Sequence, residues 1–322
     1  MAVASGIVEE NCRLKEMWVV TLMQKAVLPA QSVAYVEGGY DRVAGFVVPA
    51  EAVSAARTPA ELFVAHGLGF PGSPVSPADP FLDVLRFEPT PQLRFENATG
   101  GTTEAERQLT GGAFVDRPPF TGTGFVAAEG MVIPLYWLVH SRIPAGAELV
   151  RYHADGRDEL VARYVDVVHG WRSGGTEKPA ASFPPVSRFV GPMARWNDTY
   201  FSADLVGDEV VLVAESESAR ELGFERASTG RWFRRVARAE VTELFEMYVT
   251  AKVAGVEVRV VDQWTQPDGV AAARVTYLGH NADIAEGLQL TKVDAGVYEA
   301  SVAVAQLQDV VTSQLVPTAW QA

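Results

Sequence analysis

Short runs rich in Val and aromatic residues, broken by Gly, Pro, Asn and Asp, recur along most of the chain and predict β-strands. Between residues 15 and 48 three such runs, EMWVVTLM, SVAYVEGG and RVAGFVVP, read as strands separated by Pro, Gly and Gln. PAELFVAHGL predicts a short helix instead, with Pro59 near its start and Leu62, Phe63, His66 and Leu68 at roughly helical spacing. The Gly- and Pro-dense FPGSPVSPADPF is an ordered loop in this reading, followed by strand candidates FLDVLRFEP and QLRFEN. Further on, GFVAAEGMVIPLYWLVHS predicts two adjacent strands around Glu129-Gly130. AELVRYHADGRDELVARYVDVV predicts a hairpin that turns at His153-Ala154-Asp155-Gly156.

The stretch 219–241, ARELGFERASTGRWFRRVARAEV, is written a second time over 285–307 as AEGLQLTKVDAGVYEASVAVAQL. Ala219 aligns with Ala285, Leu222 with Leu288, Gly230 with Gly296 and Val236 with Val302, while Phe224 and Trp232 meet Leu290 and Tyr298. A strand-turn-strand run precedes each copy, so each unit reads strand, turn, strand, short helical turn, Gly-turn, aromatic strand. A long helix is expected over 238–253, RAEVTELFEMYVTAKV, because Val241, Leu244, Phe245, Tyr248, Val249 and Ala251 share one helical face and Gly255 follows as a stop. This helix would join units at about 187–241 and 256–308.

The expected fold is therefore α+β and predominantly β. An N-terminal β-rich domain with long Gly- and Pro-rich loops spans 1–175, RSGGTEKPAASFPPV over 172–186 marks the boundary, and a domain of tandem ββ(α)β units spans 186–322.

Charge narrows the partner. The 322 residues carry a formal net charge of −13, which argues against nucleic acid or an anionic membrane surface, both of which need clustered Lys and Arg. A basic protein fits better. One cysteine, Cys12, leaves no intramolecular disulfide and no multi-Cys zinc site. The first residues are acidic where a signal peptide is basic, and no run is long enough to span a bilayer, so a cytoplasmic protein is expected. The Ala, Val, Asp and Glu bias with few Lys is that of a high-GC bacterial protein.

Motifs for phosphate loops, HExxH or CxxC metal sites, nucleophile elbows and kinases are missing, and no cofactor or metal is expected. The leading expectation is a non-enzymatic protein-interaction protein, immunity- or chaperone-like toward a basic partner. Its candidate contacts are Trp171, Arg172, Trp196, Arg231, Trp232, Arg234 and Arg235, residue types that dominate interface hot spots. On a strand, Trp232 and Arg234 would face one side and Phe233 and Arg235 the other. The alternative is a hydrolytic or nucleotide-acting enzyme with its site in the N-terminal loops and at His153, Asp155 and Asp158, where an imidazole and carboxylates gather at a hairpin turn. The plainer reading of those three is a solvated hairpin tip. A structural component of a larger assembly is the third possibility.

Overall fold

The computed structural model describes residues 22–99, 114, 120, 122–128, 130–173 and 183–321. Most of the EMWVVTLM run, Cys12, Glu129, much of the Gly-rich stretch after Thr99 and most of the boundary segment lie outside the described residues. The chain is predominantly β, with two large antiparallel sheets.

The first sheet takes its strands from β1 (Met23–Val27), β2 (Arg42–Pro49), β3 (Phe81–Phe87), β4 (Phe95–Asn97), β7 (Tyr136–Arg142), β8 (Glu148–His153), β9 (Asp158–Tyr164) and β10 (Trp171–Ser173), after a separate ribbon of β5 (Phe125–Ala128) and β6 (Met131–Pro134). Its order is β10-β9-β8-β3-β1-β2-β7-β4. The β8–β9 hairpin turns where Asp155-Gly156 predicts, with Gly156 N donating to His153 O at 3.0 Å. SVAYVEGG departs from its strand reading: helix α1 (Pro29–Val36) contains SVAYV. Pro29 at the first helical position pre-sets the backbone, and this outweighs the β-branched valines. Helix α2 (Pro59–Ala65) forms as expected, with Thr58 and Glu61 making a reciprocal capping box.

The second sheet begins with β11 (Pro192–Trp196), β12 (Thr199–Val206), β13 (Glu209–Ala214), β14 (Glu225–Arg226) and β15 (Trp232–Ala237). It continues with β16 (Glu243–Val253), β17 (Val256–Thr265), β18 (Ala271–Tyr277), β19 (Thr291–Asp294), β20 (Val297–Ala303) and β21 (Gln308–Leu315). The order is β14-β15-β13-β12-β11-β16-β17-β18-β20-β19, with β21 on the other edge of β16. A 3-10 turn (Glu217–Leu222) follows β13, and helix α3 (Ala282–Gly287), capped by Asn281, follows β18. Short 3-10 turns, Arg238–Glu240 and Val304–Gln306, end β15 and β20. Outward from the central pair β11 and β16, the two halves therefore list the same elements in the same order.

The joining helix expected over 238–253 is overturned. A single 3-10 turn occupies Arg238–Glu240, and Glu243–Val253 is the long central strand β16. The apolar positions that mimic a helical face are those of a strand covered on both sides: Leu244, Phe245 and Glu246 are buried in succession, then Val249 and Ala251. Val, Thr, Tyr and Phe supply the strand preference, and pairing with β11, β17 and β21 supplies its hydrogen bonds.

Buried ions join the sheets. Arg142 of β7 donates to the carbonyls of Ala203 at 2.8 Å, Val190 at 2.9 Å and Ser187 at 3.1 Å, and lies 3.3 Å from Asp204. From the opposite sheet, Arg259 donates to His140 O and to Glu246, both at 2.6 Å. Arg42 reaches Val261 O at 2.8 Å and Asp262 at 2.9 Å, and Lys25 meets Asp294 at 2.5 Å. These charges are desolvated and each is held by at least one carboxylate, so truncating one would leave its partners unpaired and cost about 3–5 kcal/mol. Apolar packing adds to the contact, since Ala295 and Val297 enter the core of Phe46 and Trp137. Gly296 turns there with φ +69, and a Cβ would lie 2.9 Å from the Trp137 ring.

Candidate functional site

The two halves of the second sheet differ in what fills them. β11 and β16 each end in a two-residue turn with both residues at positive φ, Asn197-Asp198 and Ala254-Gly255. Counted from these turns, Trp196 corresponds to Val253 and Phe201 to Val258. After the helical turns, Phe224 corresponds to Leu290, Trp232 to Tyr298 and Arg234 to Ala300. In the first half Trp196, Phe201 and Phe224 pack together, with ring centroids 5.1–6.3 Å apart. Arg234 lays its guanidinium over Trp196, 4.8 Å from the ring centroid, and donates to Leu222 O at 2.9 Å.

That guanidinium needs room beside the helical turn. Gly223 ends the turn at φ +76, and a Cβ there would lie 2.3 Å from Arg234 Nη1. Its counterpart in the second half, Gln289, holds the same left-handed conformation at φ +58, a strained one for a residue with a side chain. The side chain fits because Ala300 stands where Arg234 does.

Smaller residues at the five positions aligned with Trp196, Phe201, Phe224, Trp232 and Arg234 leave the second half open. A cavity of about 180 Å³ is bounded by Val253, Val258, Leu290, Tyr298, Ala300 and Val302, with Gln289 also on its wall. Tyr277, larger than its counterpart Ala214, restores only part of the volume. The lining is mainly apolar, with Gln289, Tyr277 and Tyr298 its polar side chains, and the Tyr298 hydroxyl donates to Glu286 at 2.9 Å. A dry cavity of roughly 150 Å³ suffices to hold benzene, so the space matches one aromatic or large aliphatic group. Val253, Val256, Ala300, Val302, Val304 and Leu307, which pack around the buried core of this half, are all only half-buried.

The sequence-derived contact residues are spread across structural roles. Trp171 is core: it stacks on Tyr35 at 5.1 Å and donates Nε1 to Tyr40 O at 2.8 Å, leaving no surface for a partner. Arg172 is half-buried and reaches Ser228 Oγ at 3.5 Å. Arg231 is buried, donating to Val167 O and Pro184 O. Trp196, Trp232 and Arg234 sit together on one face of the first half, as strand alternation requires, and Phe233 and Arg235 sit on the other. Arg235 is exposed and pairs with Asp166 at 3.3 Å and Glu209 at 3.2 Å. The basic run thus satisfies acceptors within its own fold.

His153, Asp155 and Asp158 lie at the β8–β9 hairpin tip. His153 Nε2 is 3.1 Å from Glu159, Asp155 accepts from Arg157 N at 3.0 Å, and Asp158 is exposed. A nearby cavity of about 270 Å³ is lined by Phe81, Leu82, Asp83 and prolines, and none of the three enters it. Asp83 is itself occupied, by Arg151 Nε and Nη2 at 2.8 and 2.9 Å and by Ser32 Oγ at 2.6 Å. Among the described residues no group of three or more His, Cys, Asp or Glu is placed to hold a metal.

Two histidines are buried, His66 at the C-terminal end of helix α2 and His140 on β7. His66 shares a hydrogen bond with Gln24 at 2.9 Å, and burial, aided by Lys25, lowers its pKa to about 3. His140 is held well below the usual range by burial and by Arg42, Arg259 and Arg274, and Glu299 beside it is raised by burial. Both imidazoles are neutral parts of the packed interior.

What residue-type reasoning missed is the cavity, because small side chains carry no motif. Its signal lay in the aligned copies, where the aromatic of WFRRV persists as Tyr298 and the arginine of interest becomes Ala300.

Residues 191–317 match the family described as Uncharacterised conserved protein UCP033725, a span that takes in every strand of the second sheet. No curated protein and no solved structure matches the chain.

Proposed function

We propose that the chain is a non-enzymatic interaction protein whose second sheet is two copies of one unit, one filled by its own side chains and one open to a partner. The observation that carries this reading is the cavity of about 180 Å³ beside Ala300, at the place where Arg234 and Trp196 stack in the first copy. An apolar anchor side chain entering such a pocket is the usual energetic centre of a protein interface. Charge supports a basic partner: from 243 to 321 the sequence has ten Asp and Glu against four Lys and Arg. A single cysteine and an acidic surface suit the cytoplasm. Among the described residues no helix is long and apolar enough to cross a membrane.

The test transplants the filling of the first copy into the second. The variant Val253→Trp, Gln289→Gly, Ala300→Arg and the native chain are each tagged and purified from the native host at low and raised salt, with bound proteins identified by mass spectrometry. A stoichiometric basic partner on the native chain that weakens with salt and is lost from the folded variant is the expected result. An undiminished partner on the variant rejects the cavity as the contact. If both chains come back bare, the reading gives way to the enzyme alternative, to be pursued by a metabolite turnover screen.

A further inference from the structure

The strands that close the two halves can be compared residue by residue. In the first half Arg195 of β11 pairs with Glu243 of β16 at 2.8 Å; in the second Lys252 of β16 pairs with Asp309 of β21 at 2.9 Å. Leu244 and Phe245 follow the first carboxylate as Val310 and Val311 follow the second. Their surroundings differ. Leu244 is 4% exposed and Phe245 6%, whereas Val310 is 53% and Val311 56%.

The chain's own C-terminus covers Leu244. β21 runs antiparallel along the edge of β16 as far as Leu315 opposite Glu246, and the turn Thr318–Trp320 then carries Trp320 into the core that holds Val241 and Leu244. Arg238 Nη2 fixes the turn by donating to Trp320 O at 2.6 Å. In the second half Leu307 stands for Val241 and Val304 for Arg238, both half-buried, and among the described residues no strand pairs the free edge of β21. An exposed strand edge with uncovered valines and no proline or lysine is a ready template for strand addition.

Building on the partner-binding reading above, we infer that β21 receives an extended segment of a partner protein. The segment pairs antiparallel along the free edge and ends in an aromatic side chain that covers Leu307 and Val310, as Trp320 covers Val241 and Leu244. Basic residues flanking the aromatic complement the acidic second half. A second copy of this chain does not fit, because its own Trp320 segment is already engaged on its own β16 and its net charge has the same sign.

The probe is a fluorescein-labelled peptide of residues 312–321, TSQLVPTAWQ, extended by two lysines, titrated into the full chain and followed by anisotropy. One peptide binds per chain, and Val310→Asp, at an exposed position that spares folding, weakens binding at least tenfold. Alanine in place of the peptide's tryptophan does the same. Trp320→Ala in the chain vacates the first position and raises the stoichiometry to two. No saturable binding at millimolar peptide, or binding indifferent to Val310→Asp, overturns the inference. Binding seen only in a Trp18→Ala chain assigns the edge to the chain's own N-terminal segment and also overturns it. If the peptide fails while the filled-cavity variant still loses its native partner, the strand inference falls and the cavity reading stands.

Discussion

Trp196, Phe201, Phe224, Arg234 and Trp320 fill the first half of the second sheet, while Val253, Val258, Leu290 and Ala300 line a cavity in the second half and Val310 on β21 is exposed. The backbones run through the same order of strands and turns, and the tie between first and last strands recurs as Arg195–Glu243 and Lys252–Asp309. One architecture can therefore be closed or left open by a handful of side-chain volumes. Charge diverges with packing: the sequence over 192–242 has nine Asp and Glu against seven Lys and Arg, compared with ten against four over 243–321. The filled half uses its arginines to satisfy its own carbonyls and carboxylates. The open half has fewer cations and more uncovered apolar surface.

The largest contrast is expected at the C-terminal cap. Trp320→Ala removes a fully packed indole and lowers stability by about 3–5 kcal/mol, whereas Val310→Ala at the exposed edge costs below about 0.5 kcal/mol, both measured by urea unfolding. Comparable costs at the two positions would mean that β21 is covered in solution and the halves are alike.

Emptying the first half is the next test. Arg234→Ala loses the contact with Trp196 and the bond to Leu222 O and lowers stability by about 1–2 kcal/mol. Filling the second half acts in the opposite direction. Val253→Trp with Gln289→Gly and Ala300→Arg raises stability by about 1–2 kcal/mol, less than a sealed cavity of that volume would return because this one has a mouth. A destabilised triple variant with intact secondary structure by circular dichroism would show that the two interiors are not interchangeable.

The smallest effect concerns the turns. Asn197 suits positive φ, whereas Ala254 at φ 51 does not, so Ala254→Asn stabilises the β16–β17 hairpin by about 0.5–1 kcal/mol. An unchanged melting temperature would place the strain elsewhere.

Much of this contrast was legible in the sequence, and the rest was hidden for identifiable reasons. The β8–β9 hairpin at Asp155-Gly156 and the short helix α2 starting at Pro59 follow from local turn and helix-start chemistry. β16 misled because it buries Leu244 and Phe245 in succession and then Val249 and Ala251, and these apolar positions also fall at helical spacing. Trp171 and Arg231 read as interface residues because hot-spot chemistry and core chemistry use the same side chains. Nothing local shows that Tyr35 and Tyr40 O meet Trp171, or that Val167 O meets Arg231. The open half was hardest to see, since Ala300 and Val253 matter for the groups they lack.

Amide hydrogen exchange of the chain, free and bound to its purified partner, tests the central claim most directly. The account predicts protection gained over Val297–Ala303 and Gln308–Leu315, with Trp232–Ala237 and the His153–Asp158 turn unchanged. Protection confined to the first half or to the hairpin tip, with the cavity strands unaffected, would contradict it.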